Sequence, residues 1–278
     1  MTEVKNMKFE TLTVELSSTG VLLVKFNRPD RLNAVNPQMW EDLKSCFTAI
    51  RTDGNVRSVV LAANGKVFCS GLDLKETKII SPGAYGDVAR KGYYQRLAII
   101  DLQDSISAIE NCDKPVICAV QNACIGAGID IITASDVRYC SEDAFFMVKE
   151  VDIGMAADVG TLQRLPKVVS NDSWVREICY TTRRIDSKEA SEQGLISKVF
   201  PNSDTVLAEA IKTANIIASK SPVAIVSTKH LLNFSRDHTV EEGLKYTALW
   251  NALAHNTGDM KTAISSFFQK TQPKFSKL

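Results

Sequence analysis

Pro115 precedes Val116-Ile117-Cys118-Ala119-Val120, a run without one polar residue. It reads as a buried strand, ended by Gln121-Asn122. Gly126 and Gly128 follow, and residues 129–134 have room for one or two helical turns. Glycine lets the backbone take φ > 0 or approach another group closely. A helix start adds unpaired N–H groups with the positive end of the macrodipole behind them, which suits an oxyanion. For one such turn alone, a glycine that merely avoids a clash is the simpler reading. A second turn, Phe68-Cys69-Ser70-Gly71-Leu72-Asp73-Leu74, follows the apolar strand at 59–63. Two strand-to-helix turns of this kind predict one N–H donor each for a single carbonyl oxygen. Between residues 124 and 165 stand three acids of interest, Asp130, Glu150 and Asp158.

Asn27-Arg28-Pro29 with Asn33-Ala34, the segment 68–74, and residues 127–130 occur in an order and spacing that resemble the crotonase (enoyl-CoA hydratase/isomerase) superfamily. The resemblance covers nearly the whole chain. KEVDIGMAADVGTLQRLPKV, residues 149–168, is similar to the Δ3,5-Δ2,4-dienoyl-CoA isomerases within that superfamily. The resemblance implies an α/β fold, a crotonase-like spiral of ββα units with a C-terminal helical trimerisation region. It divides the chain into a catalytic core, 1–202, and a helical oligomerisation region, 203–278.

The resemblance also implies chemistry. An acyl-CoA thioester is the substrate, held through Ser70, Gly71, Leu72, Asp73, Leu74 and Ala127. The backbone N–H groups of Leu72 and Ala127 form the oxyanion hole, each such donor typically contributing about 3–4 kcal/mol in the transition state. Relatives usually carry Gly where this chain has Ala127, but alanine keeps the N–H. Glu150 matches the carboxylate that exchanges protons at C2, and Asp158 the additional acid of dienoyl-CoA isomerases, where hydratases carry Gly. Asp130 takes the place of a hydratase Glu and tunes or positions the other two. Moving a 3,5-diene to 2,4 removes a proton at C2 and adds one at C6, so two acids at different points make sense. Met155, Ala156 and Ala157 put Asp158 in apolar company, which favours its protonated form. No cofactor or metal is expected, because CoA is part of the substrate and the thioester is the electron sink. The rival readings are an enoyl-CoA hydratase and a non-catalytic acyl-CoA-binding protein.

Of the 278 residues, 45% are hydrophobic and 23% charged, enough for a sizeable core. The formal charge of +1 offers no overall field for nucleic acid or an anionic membrane. Seven scattered cysteines without a C-x-x-C pair point to reduced, buried thiols. No apolar run is long enough to span a bilayer. The first ten residues, MTEVKNMKFE, lack the apolar stretch of a signal peptide and carry early acids. Ser276-Lys277-Leu278 reads as a peroxisomal address for an import receptor, on a tail that Pro273 and its polar neighbours are expected to keep accessible.

Alternation at Leu12, Val14 and Leu16 predicts a strand, and residues 21–26 the next. Asn36-Pro37 predicts a helix start, with Leu43, Phe47 and Ile50 on one face. Gly83 and Gly86 mark a loop, then a helix to about Glu110. Further strands are expected near 137–139, 145–148 and 195–200. Helices are expected after Pro166, one capped by Asn171 or Asp172, others opening at Asp186-Ser187, at Ser203 and at Ser221-Pro222, and one with Thr239 and Glu242 as a capping box. Asp136 is read as structural. His230, His238 and His255 have no metal-ligand spacing, and Ser70 has no evident His partner. Arg31 and Lys270 are candidates for a CoA phosphate or plain solvated charges.

Overall fold

The computed structural model describes residues 3–76 and 86–278. Gly83 lies outside them. The chain opens with an antiparallel pair, β1 (Leu12–Leu16) and β2 (Val21–Phe26). Helix α1 (Pro37–Thr52) starts where Asn36 Oδ1 accepts the Met39 N–H at 3.0 Å, with Pro37 in the first turn. Met39, Leu43, Cys46, Phe47 and Ile50 form its buried face. Strand β3 (Ser58–Ala63) then runs parallel to β2. Helix α2 (Val88–Asn111) leads to β4 (Val116–Val120), parallel to β3 and buried along its whole length.

From here the chain alternates between two sheets. It passes through β5 (Ala123–Ile125), α3 (Ala127–Thr133), β6 (Val137–Ser141) and β7 (Phe145–Met147). Next come α4 (Thr161–Val168), α5 (Asp172–Thr181), β8 (Ile185–Asp186), α6 (Ser187–Glu192) and β9 (Lys198–Phe200). The large sheet has the order β1-β2-β3-β4-β6-β9 and the small one β5-β7-β8. Each turn of the chain thus lays one strand in the large sheet and one segment in the small. This is the crotonase-type spiral.

Several sequence expectations change. Of the small sheet only β7 was foreseen, at 145–148, because β5 and β8, of three and two residues, carry no readable alternation. Residues 68–73 are extended and the chain turns at 74–76, beyond which it leaves the described residues. Cys69 pairs in parallel with Cys124, and Leu72 with Val35, so the segment is extended and edges the small sheet. Helices begin at Thr161, ahead of Pro166, which sits inside α4. The last strand is confined to β9, and Asn171 rather than Asp172 caps α5.

The C-terminal part comprises α7 (Ser203–Ala218), α8 (Pro222–Ser235), α9 (Val240–Ala254) and α10 (Gly258–Gln269). Thr239 and Glu242 form the expected capping box. The boundary at 202/203 falls before a helix that belongs to the core. Val206, Ala210, Ala214 and Ala218 line one face of α7 and pack on β2, β3, β4 and β6 with Val60, Ile117 and Tyr139. Alanines four apart leave room for this close approach, and Ser58 Oγ donates to Ala214 O at 2.9 Å. The elements that stand away from the sheet begin at α8. Lys229 of α8 reaches inward to Asp136 at 2.8 Å, and Asp136 also accepts the Val116 N–H at 2.7 Å.

All seven cysteines are free and buried. Among the described residues, no helix is long and apolar enough to cross a membrane. Residues 275–278 lie on the turn at 54–57 rather than extending freely. Arg57 Nη2 donates to the carbonyls of Phe275 at 2.8 Å and Ser276 at 3.1 Å, and Lys277 to Asn55 Oδ1. The Leu278 side chain remains exposed.

Candidate active site

The pairing of the small sheet places the two glycine turns side by side. Cys69 N donates to Ala123 O and Ile125 N to Cys69 O, both at 3.0 Å. Three residues beyond the paired cysteines lie Leu72 and Ala127. Cys124 in turn pairs with Phe146, and four residues beyond Phe146 lies Glu150. One register therefore delivers both turns and the first acid from successive turns of the spiral.

The contact is close. A Cβ built on Gly126 would stand 3.3 Å from Glu150 Oε1 and 3.8 Å from Gly71 Cα. Gly126 has φ 51° and Gly71 φ 95°, a region that favours glycine. Gly128 serves differently. It sits inside α3, where a Cβ would meet Cys124 Sγ at 3.0 Å and Cys69 Cβ at 3.2 Å. Ala127 is the first residue of α3, so its N–H has no carbonyl one turn back to bond. Among the described residues, neither Leu72 N–H nor Ala127 N–H donates to another group. Gly71 N–H is occupied by Cys69 Sγ at 3.4 Å, which leaves Leu72 as the free donor of its turn.

Glu150 opens a short 3-10 helix that ends at Ile153. Burial raises its pKa above the ordinary carboxylate range, nearby backbone N–H groups pull it back, and the Asp158 charge adds to the rise. Its Oε2 is buried without a hydrogen-bond partner. Asp158 is half-buried, and burial pushes its pKa up as well. Ala157 is buried beside it, while Met155 is only partly covered and Ala156 is exposed.

Asp130 is 1% exposed. Its Oδ1 accepts the Thr161 N–H at 2.5 Å and the Thr161 hydroxyl at 2.7 Å. It thereby caps α4, whose own N-cap, Gly160, offers no side chain. Oδ2 is buried and unpartnered. Burial first, with the Glu150 charge adding, raises the pKa to about 7 against the Thr161 bonds that lower it.

The substrate-contact candidates separate. Gly71, Leu72 and Ala127 stand at the paired turns, with Ser70 beside them, while Leu74 is exposed. The Asp73 carboxylate is committed elsewhere, to Arg28 at 3.1 Å and to the N–H groups of Lys75 and Glu76. Arg31 and Lys270 are both exposed and far apart in the chain. Sequence reasoning named Arg28 within the family motif without its Asp73 partner, and it missed the role of Thr161. The Thr161 role left no signal, since it depends on a bond across 31 residues.

A family model described as enoyl-CoA hydratase/isomerase matches residues 17–277. A mitochondrial Δ3,5-Δ2,4-dienoyl-CoA isomerase of Rattus norvegicus is 45% identical, over 99% of this chain and 86% of its own length. A peroxisomal Δ3,5-Δ2,4-dienoyl-CoA isomerase of Arabidopsis thaliana is 40% identical, over 97% of this chain and 98% of its own. The crystal structure of an enoyl-CoA hydratase from Bacillus anthracis superposes with a TM-score of 0.87 at 26% identity, covering 96% of this chain and 99% of that one. With the spiral, the paired turns and a family match along almost the full length, the chain belongs to the enoyl-CoA hydratase/isomerase, or crotonase, family.

Proposed function

We infer that Glu150 and Asp158 divide the two proton transfers of a Δ3,5-Δ2,4-dienoyl-CoA isomerisation. The activity belongs to fatty-acid β-oxidation, and its substrate is an acyl-CoA thioester. The observation that carries the division is two neighbouring carboxyls, both raised by burial, with Glu150 against the paired glycine turns.

The thioester carbonyl accepts the N–H groups of Leu72 and Ala127, so negative charge gathered on oxygen is stabilised. Glu150, ionised, takes a C2 proton. The electron pair spreads over the diene and the carbonyl, and Asp158, protonated, returns a proton at C6. One proton shared between the acids gives this starting state, and the pair titrates as a unit. The step leaves Glu150 protonated and Asp158 ionised, and proton exchange restores them. The thioester supplies the electron sink, so the reaction uses no cofactor. Asp130 spends Oδ1 on Thr161, which takes that oxygen away from holding a water for hydration.

The test follows absorbance. The wild-type chain is expected to create the conjugated 2,4-dienoyl thioester chromophore from 3,5-dienoyl-CoA. A hydratase would instead bleach a 2-enoyl-CoA, and a binding protein would change neither spectrum by turnover. Ser70, Gly71, Leu74 and the Asp73 backbone complete the proposed substrate-contact segment.

The proposed assembly is a trimer or a dimer of trimers, formed by copies of this chain. Leu244, Leu249 and Leu253 on α9, and Phe267 and Phe268 on α10, are each 66% or more exposed in the single chain. Light scattering at micromolar concentration is expected to report a trimer or hexamer, and a monomer would reject this.

For location, the two relatives above are mitochondrial and peroxisomal respectively. The peroxisomal proposal rests on Ser276-Lys277-Leu278 acting as an address where it stands at a free C-terminus. Recognition would require the tail to leave Arg57. Deleting Leu278 is expected to leave an active protein in the cytosol, whereas continued peroxisomal import would refute the address.

A further inference from the structure

We propose that Gln103, on α2, is a positioning residue that sets the Asp158 acid for protonation at C6. The inference rests on the isomerase reading above. Residues 155–160 have no regular structure and run between Gly154, φ 79°, and Gly160, φ 141°. A segment of this kind holds a side chain only as well as its backbone is tied down. Upstream, Met155 N–H donates to Glu150 O at 3.2 Å. Downstream, Thr161 is fastened to Asp130. Between these points, among the described residues, one bond from another segment reaches the backbone. Gln103 Nε2 donates to Asp158 O at 2.7 Å.

The bond is part of a stripe. Gln103, Ser107 and Glu110 are spaced four and three residues apart, so they share one face of α2. Ser107 Oγ accepts from Arg164 Nη2, and Glu110 Oε2 pairs with Arg164 Nε, both at 3.0 Å. Glu110 Oε1 also receives Arg236, the residue just after α8. The same helix face thus holds α4 just beyond the acid and the acid's own peptide. Hydrophobic packing does not substitute, because Gln103, Ser107 and Glu110 border a cavity of about 690 Å³ together with Val159, Gly160 and Arg164. Neither Glu150 nor Asp158 lines that cavity, so Gln103 acts on the chemistry only through the Asp158 carbonyl.

The two half-reactions separate this role from a general structural one. C2 exchange needs Glu150 and the oxyanion donors, and C6 protonation needs Asp158 in place. Gln103→Leu keeps the size and removes the donor, and the cavity leaves the new methyl groups room. Gln103→Glu keeps polarity and presents no amide donor. Both variants are expected to lower 2,4-dienoyl-CoA formation about tenfold or more, with C2 exchange and KM within about twofold of wild type. In the substrate-free enzyme, amide hydrogen exchange of residues 157–159 should quicken in the same variants. Isomerisation at the wild-type rate overturns the proposal, and so does a parallel fall of C2 exchange and C6 labelling. Unchanged amide exchange overturns it too, and that measurement needs no substrate. A wild-type chain that makes no 2,4-diene while its amides respond to Gln103→Leu would refute the isomerase reading and leave the clamp standing.

Discussion

Glu150→Gln is expected nearly to abolish exchange of the C2 hydrogens of a 3,5-dienoyl-CoA with heavy water, whereas Asp158→Asn is expected to stop isomerisation and leave part of that exchange. Each loss is expected at about 10²–10⁴-fold, the usual contribution of a general acid or base. The asymmetry follows from the geometry. Glu150 Oε1 lies against Gly126, beside the turn whose next residue, Ala127, supplies a free N–H. The proposed base and the proposed oxyanion donor therefore remain together when Asp158 is replaced. Asp158 comes from the irregular segment after the 3-10 helix and contributes nothing to that pairing. Deuterium followed at C2 and C6 separately by NMR reads the two steps, once each variant is shown to fold and bind a CoA ester. Normal 2,4-diene formation by Asp158→Asn would remove Asp158 from the mechanism. Lost C6 labelling with persistent C2 exchange in Glu150→Gln would show the roles reversed.

Asp130→Asn should be more stable than wild type at pH 8, by a margin that shrinks as the pH falls. The Asp130 pKa in the folded chain is about 7, against 3.8 for the free side chain. Between those values the native state holds a proton that the unfolded state has released. Stability therefore falls as pH rises from about 4 to about 7, and is level above that. At 1.36 kcal/mol per unit, the wild type forfeits about 4 kcal/mol across this window. Asparagine has no such proton, and its Oδ1 can still accept both Thr161 bonds. Urea unfolding midpoints at pH 4.5, 6 and 8 give the difference between the two proteins at each pH, so pH-independent effects of the amide cancel. Parallel stability curves for the two proteins would show that Asp130 is ionised in the fold and that its burial costs nothing at neutral pH.

That cost explains why Asp130 could be found in the sequence and its partner could not. The acid stands four residues after Gly126 in a family pattern, so position and residue type are both written in the chain. Thr161 is one threonine among many until α4 comes to rest on α3. The same division runs through the fold. β3 from Val59 onward and β4 are continuous apolar runs, and α1 and α9 carry side-chain caps that any reader of the sequence can place. β5 and β8, unlike the foreseen β7, gave no signal, and as strands of three and two residues they owe their existence to pairing with β7. Helix α4 tolerates Pro166 in its interior and takes its cap from another helix. Helix α7 looks like the start of a separate helical region, yet its alanine face closes the large sheet.

Acid identities, glycine turns, strong strands and capped helices are local properties, because they depend on residues within a few positions of one another. The pairing of Cys69 with Cys124, the approach of Gln103 to Asp158 and the raised pKa of Asp130 are not. Each arises where segments tens of residues apart exclude water together, and desolvation and hydrogen-bond partners exist only once those segments have met.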